Sequence, residues 1–484
     1  MIYNMNLNVN FRNDNELIED IFKVAKKNKF EIFLVGGYVR DKILGIEDKD
    51  IDFAVLGDAV KFSQICSKEL RADNITSYGR FGTAMLGLKG YKIEFNSARK
   101  ESYGRDSRKP NIEFSDLKDD LSRRDFTINT LAVNLNESEK IIDIFDGLKD
   151  IENGIIKTPL DPEKTFDDDP LRIMRAIRFS SRFNFRIEGD TYKAIVRMKN
   201  RLKPDDVVSQ ERITDEFFKI LETEKPSIGL DLLFKTGVME VIFPEISTLA
   251  GVDQRQDYHH KDVFYHTLQV VDNISTMTDN VWLRFAALMH DIAKPATKKF
   301  IDGTGWTFHG HEEKGARMMK KIFLKLKLPN DKLSYIEKLV RMHLRPIPLA
   351  SDSVTDSAIR RLAADAGEEL EDLLTLCRAD ITSKNQNKVS RILNNYLIVE
   401  KKILEVQQKD NLRNFQSPVK GEEIMEICGL KPSRTVGIIK KQIEEAILEG
   451  EIPNEYQPAK EFLLKIKDDI LKTAPESDKN TGDS

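Results

Sequence analysis

The chain has 484 residues, a formal net charge of −4 and 40% hydrophobic residues, the make-up of a globular protein with several domains and not one core. It contains no run of about 18 uncharged apolar residues, which argues against a membrane-spanning helix or a membrane partner, and no basic-then-apolar leader opens it. The acidic balance argues against a protein that coats nucleic acid non-specifically, yet local basic clusters at Arg99 to Lys109 and Arg197 to Lys203 leave RNA binding open.

Taken in chain order, Glu16 to Lys27 has helical apolar spacing and Ile32 to Val35 reads as a strand. That strand runs into Gly36-Gly37 and a helix start, Tyr38-Val39-Arg40-Asp41. A bare backbone there lets a triphosphate approach main-chain N–H groups. A second strand, Ile51 to Val55, follows Asp50, and side-chain alternation puts Asp50 and Asp52 on one face. Two carboxylates so close repel unless a cation sits between them, and Mg²⁺ commonly joins such a pair to substrate phosphates. An isolated Asp-x-Asp is common on polar strands; its spacing from the glycine pair is what makes it informative. Tyr91 to Asn96 is a further strand, and its Glu94 is either a third catalytic carboxylate or a solvated strand residue. Ser102 to Lys118, rich in Arg, Lys and Asp, is the candidate flexible loop.

Two more clusters follow. Arg123, Arg124, Asp125 and Asn129 stand within seven residues, combining guanidinium forks suited to phosphate with a carboxylate able to accept from a ribose hydroxyl. Asp125 alone would also fit a helix cap. Asp168-Asp169-Pro170 then opens a helix in the manner of acids and proline at a helix start. Arg172, Arg175 and Arg178 recur every third residue on it, beside Leu171, Met174 and Ile177. Such a stripe is often simply solvated, but without an acid at i+4 it points to an anionic partner. From Asp168 onward the pattern stays helical.

The three clusters, in this order, resemble the class II tRNA nucleotidyltransferase and poly(A) polymerase family, over about residues 30 to 245 and through Gln210-Glu211-Arg212-Ile213-Thr214-Asp215-Glu216. The resemblance implies an α+β protein, with a nucleotidyltransferase α/β head followed by an extended, mostly helical neck, body and tail. It also implies template-independent addition of nucleotides to an RNA 3′ end. Carried over by motif, Gly36, Gly37 and Arg40 would bind the triphosphate, and Asp50 and Asp52 would hold Mg²⁺, with Glu94 as the third catalytic candidate. Arg124, Asp125 and Asn129 would meet the sugar and phosphates. Asp169 and Arg172 would read the base, with Arg175 and Arg178 in support. The family often has Glu-Asp where this chain has Asp168-Asp169.

All seven histidines lie between His259 and His343. His266, the adjacent His290-Asp291 pair and Asp380 resemble, in that order, the HD phosphohydrolase superfamily, which implies a divalent metal site of unspecified ion. His311 and His343 would add ligands or substrate contacts. Further on, Gly429 to Gly437 leads into a helix expected over Ile438 to Leu448, a feature that suits either an RNA phosphate or ordinary helix packing.

The expected organisation is a catalytic head over 1–160, a base-reading neck over 161–245 and an HD domain over 246–385. A helical RNA-binding region over 386–472 and a disordered tail over 473–484 complete it. The expected function is addition of CCA to tRNA 3′ ends from CTP and ATP, with no obligate protein partner. The alternatives are a poly(A) polymerase, an enzyme adding only CC or only A, or an HD phosphohydrolase with a nucleotide-sensing head. Three widely spaced cysteines, Cys66, Cys377 and Cys428, fit no disulfide or metal pattern and agree with a cytoplasmic location.

Overall fold

A computed structural model describes residues 9, 11, 15–79, 82–104, 107–135, 140–204, 206–252, 262–303, 305–349, 355–382, 385–410, 417–473, 475 and 478. The chain divides into two compact units, Met1–Thr248 and Leu249–Ser484.

The first unit opens with the expected helix, Glu16–Lys27. Asn15 caps it by accepting from the Leu17 N–H at 3.0 Å, and acids in its first turn and lysines in its last suit the helix dipole. Leu17, Ile18, Ile21, Phe22, Val24 and Ala25 form its buried stripe. The strands that follow are β1 (Glu31–Val35), β2 (Asp50–Leu56), β3 (Asn74–Tyr78), β4 (Thr83–Leu88), β5 (Tyr91–Ser97), β6 (Arg99–Gly104), β7 (Ser107–Phe114), β8 (Ala132–Asn134) and β9 (Ile141–Ile142). Seven of them make one mixed sheet in the order β3-β4-β5-β2-β1-β8-β9. Only β2 and β5 run parallel, and their register sets Asp52 opposite Glu94 and Asp50 opposite Lys92. Phe53 and Phe95 stack at 5.2 Å, and Phe62 from the helix Ala59–Leu70 meets Phe95 edge-on at 5.1 Å. This aromatic packing fixes the height of the carboxylate strands above the core.

The sheet has more strands than the three expected. β3 is exposed along its length and β8 spans three residues, so neither carries a legible apolar period. Within the segment read as a flexible loop, β6 and β7 pair antiparallel, and the helix Leu117–Ser122 follows. Beyond them the unit is helical, through Pro162–Asp168, Leu171–Phe183, Gly189–Met198, Gln210–Leu221 and Pro226–Lys235. Asp161 caps the first of these and Pro162 takes its first turn.

The second unit is almost all helix. Val263–Ser275, Val281–Met289, His311–Leu326, Leu333–Met342 and Leu370–Ala379 carry or flank the histidines, and a short hairpin pairs Lys299–Ile301 with Gly305–Thr307. Near the C-terminus Gly421–Cys428, Arg434–Leu448 and Tyr456–Thr473 pack around Ile424, Ile439, Ile443 and Leu463. The helix expected to start at Ile438 starts four residues earlier, so Gly437 lies inside it and not in the loop. Apart from 473, 475 and 478, the tail expected to be disordered lies outside the described residues. Among the described residues no helix is long and apolar enough to cross a membrane.

Candidate active site and candidate metal centre

In the first unit the carboxylate strands, the glycine turn and the arginine helix Leu171–Phe183 enclose a cleft of about 640 Å³. Every head residue singled out from the sequence borders it: Gly36, Gly37, Arg40, Asp50, Asp52, Glu94, Arg124, Asp125, Asn129, Asp169, Arg172, Arg175 and Arg178. They divide into groups that face the space and groups that brace it.

Gly36 is required by geometry. Its φ is +74°, and a Cβ there would lie 2.6 Å from Arg124 Nη1 and 3.5 Å from Asp52 Oδ2. Gly37 meets no such obstruction. Asp50 is exposed, while Asp52 and Glu94 are half-buried, and Glu94 accepts from Asn96 Nδ2 at 2.9 Å. Burial first, then the Glu94 charge, push the Asp52 carboxyl up to about 7, with Asp50 and Asp48 adding to the effect and Arg124 opposing it. An under-neutralised carboxylate set of this kind suits a divalent cation.

Arg124 is held on one side, with Nη2 3.2 Å from Asp120 Oδ2, while its Nε is buried without a hydrogen-bond partner. The guanidinium as a whole borders the cleft, where it is a suitable partner for a phosphate oxygen. Asp120 is fully buried. Burial alone would raise its pKa, but Arg124 and Arg123 outweigh it and hold the carboxyl below the usual range.

The remaining arginines and acids form a continuous brace. Arg182 and Arg40 both bind Asp41, Arg40 donates to Asn129, Asn129 donates to Asp125, and Asp125 takes Arg175 at 2.6 Å. Arg40 is 3% exposed and lies over the Phe179 and Phe183 rings. Its hydrogen bonds to Asp41 and Asn129 make it a support at the cleft wall more than an exposed phosphate hook. Asp125 has both oxygens engaged, one by the Phe126 N–H and Asn129, the other by Arg175. Its carboxyl stays well below the usual range because Arg175 and Asn129 outweigh the opposing effect of burial. Arg172 is anchored by the Arg123 carbonyl at 2.6 Å and the Thr165 carbonyl at 3.4 Å. Arg178 Nε sits 2.9 Å from Glu216 Oε2 as an ion pair without hydrogen-bond alignment, and burial pulls the guanidinium down to about 10. The arginine stripe that lacked acids along its own helix is therefore partly neutralised by Asp125 and Glu216 from other segments.

In the second unit His266, His290 and Asp380 converge, as do Asp291, His311 and His343, each set with ligand atoms within 4.8 Å of one another. Among the described residues these are the two close sets of three; Asp50, Asp52 and Glu94 do not close to that spacing. His266 Nε2 lies 2.9 Å from Asp380 Oδ1, His290 Nε2 3.1 Å from Asp291 Oδ2, and His311 Nε2 3.3 Å from Asp291 Oδ1. The Nδ1 atoms of His290, His311 and His343 meet the carbonyls of Ala287, Phe308 and Val340 at 2.7, 2.8 and 2.7 Å. A carbonyl accepts only from N–H, so Nδ1 of each ring carries a proton and Nε2 is the atom turned toward the cluster, the one that could ligate a metal ion once free of its own proton. His266 Nδ1 meets Thr382 Oγ1 at 2.9 Å.

His290 Nε2 and Asp291 Oδ2 are buried close to each other and to Lys294 Nζ but without hydrogen-bond alignment, and the donor set of imidazoles and carboxylates is one that divalent metals accept. With protons as the only cations, burial would lower the His290 pKa, but Asp291 and Asp380 hold it up at about 10. His343 goes the other way, to about 4, through burial and the His290 charge. Asp291 stays well below the carboxylate range because His290 and Lys294 outweigh its burial. The residues fit a metal centre, and their two sets of three ligand atoms could hold one or two ions.

Several contributors escaped the sequence. Asp120 stands four residues before Arg124 and Lys294 three after Asp291, with Lys294 Nζ 2.7 Å from Asp291 Oδ2; both were findable from local spacing. Asp48, which also borders the cleft, lies two residues before Asp50. Glu216 and Thr382 reach their partners over long separations that no local pattern reveals.

A mixed sheet bearing a carboxylate strand, opposed by an arginine-rich helix across a triphosphate-sized cleft, defines the nucleotidyltransferase class. The chain matches the "Poly A polymerase head domain" family over residues 32–157, the "Probable RNA and SrmB- binding site of polymerase A" family over 184–249 and the "HD domain" family over 263–385. It is 28% identical to the A-adding tRNA nucleotidyltransferase of Deinococcus radiodurans, over 87% of this chain and 92% of that protein. It is 32% identical to the multifunctional CCA protein of Neisseria meningitidis, over 72% of this chain and 82% of that protein. The fold is also that of the Bacillus stearothermophilus CCA-adding enzyme in complex with CTP, with a TM-score of 0.68 at 21% identity, covering 95% of this chain and 99% of that one. The chain belongs to the family of CCA-adding tRNA nucleotidyltransferases.

Proposed function

We propose that this chain completes tRNA 3′ ends with C, C and A from CTP and ATP, and that its second unit carries a separate metal-dependent phosphohydrolase activity. The observation that supports the first part best is the cleft in which Asp50, Asp52 and Glu94 face Arg124 and the Asp169–Arg172 helix start. Held by Asp50 and Asp52, Mg²⁺ would supply the charge that activates the RNA 3′ hydroxyl and stabilises the leaving pyrophosphate. Arg124 borders the cleft and offers its guanidinium to the phosphates, and Gly36 leaves the room it needs. Asp169 and Arg172 present an acceptor and a donor to a base edge, Arg172 being held at that edge by two carbonyls. Asp125, Asn129 and Arg40 keep the cleft wall in shape, and no side chain is assigned as a dedicated base.

The division into head (1–160), neck (161–245), HD domain (246–385) and C-terminal RNA-binding helices (386–472) belongs to the same proposal, as does a cytoplasmic location. A second reading, addition of A alone, is favoured by the Deinococcus relative, which aligns over more of this chain than the Neisseria protein does. The test is the Asp50→Ala, Asp52→Ala double variant on a tRNA lacking CCA. Nucleotide addition should fall by at least about 10²-fold, the scale of losing one electrostatic stabiliser, while any hydrolysis by the second unit persists. Addition that survives both changes refutes the head assignment.

A further inference from the structure

Asp120 is completely buried and is not one of the residues that border the cleft, yet two that do border it end on its carboxylate. Arg123 donates to Oδ1 from Nε at 3.0 Å and from Nη2 at 2.5 Å, and Arg124 donates to Oδ2 from Nη2 at 3.2 Å. One carboxylate thus takes two consecutive arginines, one on each oxygen. Burial opposes its ionisation, and the Arg124 and Arg123 charges overcome that cost. A buried carboxylate shared in this way often does no more than balance charge within a fold. What sets Asp120 apart is where its two partners lead.

Arg124 leads to the carboxylate end of the cleft. A Cβ on Gly36 would lie 2.6 Å from its Nη1 and 3.5 Å from Asp52 Oδ2, so the guanidinium stands where the glycine turn meets the carboxylate strand. Arg123 leads to the arginine helix through its backbone, since its carbonyl accepts from Arg172 Nη2 at 2.6 Å. The other anchor of Arg172, the Thr165 carbonyl, is longer at 3.4 Å. Asp120 itself is fixed in the helix Leu117–Ser122, where its N–H donates to the Asp116 carbonyl at 3.2 Å and its neighbour Leu121 is fully buried. The arginines are therefore held to a carboxylate that has no room to follow them.

We propose that Asp120 is a positioning residue for nucleotide selection: by holding Arg123 and Arg124 on its two oxygens, it sets the guanidinium that meets the triphosphate in register with the one that reads the base. This rests on reading Arg124 as a phosphate partner and Arg172 as a base reader in nucleotidyl transfer. Without the carboxylate, Arg124 leaves the glycine turn, and the Arg123 carbonyl carries Arg172 away from the base edge. Nucleotide binding and the choice between bases then weaken together.

The test is steady-state nucleotide addition by the full chain to a tRNA transcript lacking CCA, with Asp120→Asn, Arg124→Lys and the double variant beside the wild type. Asp120→Asn should raise the KM for CTP about 10-fold, the scale of one lost charge-assisted hydrogen bond. The preference for CTP over UTP should fall by a similar factor, with the KM for tRNA unchanged. Because Asp120 acts on the triphosphate through Arg124, the same change made in Arg124→Lys should add little to the KM for CTP. Asp120→Glu keeps the charge and displaces both oxygens by a methylene. It should shift KM and base preference in the same direction, and it carries the test if Asp120→Asn melts below the assay temperature. A lower kcat with KM and base preference unchanged, or KM effects that multiply in the double variant, overturns the positioning role and leaves nucleotidyl transfer standing. No addition by the wild type overturns the reading of the head instead.

Discussion

At the scale of single residues, the cleft depends on a few positions with no tolerance. Gly36→Ala adds a methyl 2.6 Å from Arg124 Nη1 at a φ of +74°. The backbone conformation alone costs about 1 kcal/mol, and Arg124 must leave its place beside Asp120. The expected result is a raised KM for CTP and ATP with a modest drop in melting temperature; steady-state kinetics against both nucleotides check it. Asp125 gives a pH signature. Its folded-state pKa is depressed by Arg175 and Asn129 against the effect of burial, so the unfolded chain takes up the proton first as pH falls. The stabilisation is complete above the ordinary carboxylate range and is lost as pH falls through and below about 4. Urea unfolding at pH 5 and pH 3 should therefore show a smaller pH-dependent loss in Asp125→Asn than in the wild type.

At the scale of elements, the two sites were legible to different depths. The strand-turn-helix of Gly36-Gly37, the same-face carboxylates and the arginine helix could be read because their periodicity is local and their spacing rigid. The reach of the sheet could not: β3 and β8 are short or wholly exposed, and register between strands is a tertiary choice. The arginine stripe was legible as a pattern and incomplete as chemistry, since Asp125 and Glu216 neutralise it from 50 and 38 residues away. The loop expected over Ser102 to Lys118 was rich in charge, which masked the pairing of β6 with β7. In the second unit the histidines announced a candidate metal centre, but the two adjoining sets of three emerge only when five helices bring their ends and faces together. A metal bound there would replace protons at a buried, closely packed set of imidazoles and carboxylates. Saturating divalent metal should raise the melting temperature of the second unit, by an amount equivalent to about 2.7 kcal/mol at 100 times Kd. Chelation should reverse it, and His290→Ala should abolish it, as read by calorimetry with and without metal.

At the scale of the molecule, the order of the three head clusters followed by the histidine block carried the family assignment, and the matches to the head, RNA-binding and HD families fall in that same order. What order cannot convey is how many nucleotides one cleft adds before stopping. The relatives include one named A-adding and others named multifunctional CCA proteins, and under the proposed function the discrimination would rest on how Asp169 and Arg172 meet successive bases. The most direct measurement is extension of a tRNA transcript ending at its discriminator base, with Mg²⁺ and labelled CTP or ATP, singly and together, resolved to one nucleotide. The account predicts two C from CTP alone and a completed, terminated CCA from both. A single A on a transcript that already ends in CC, with no incorporation of C, a long A ladder, or no extension at all would contradict it.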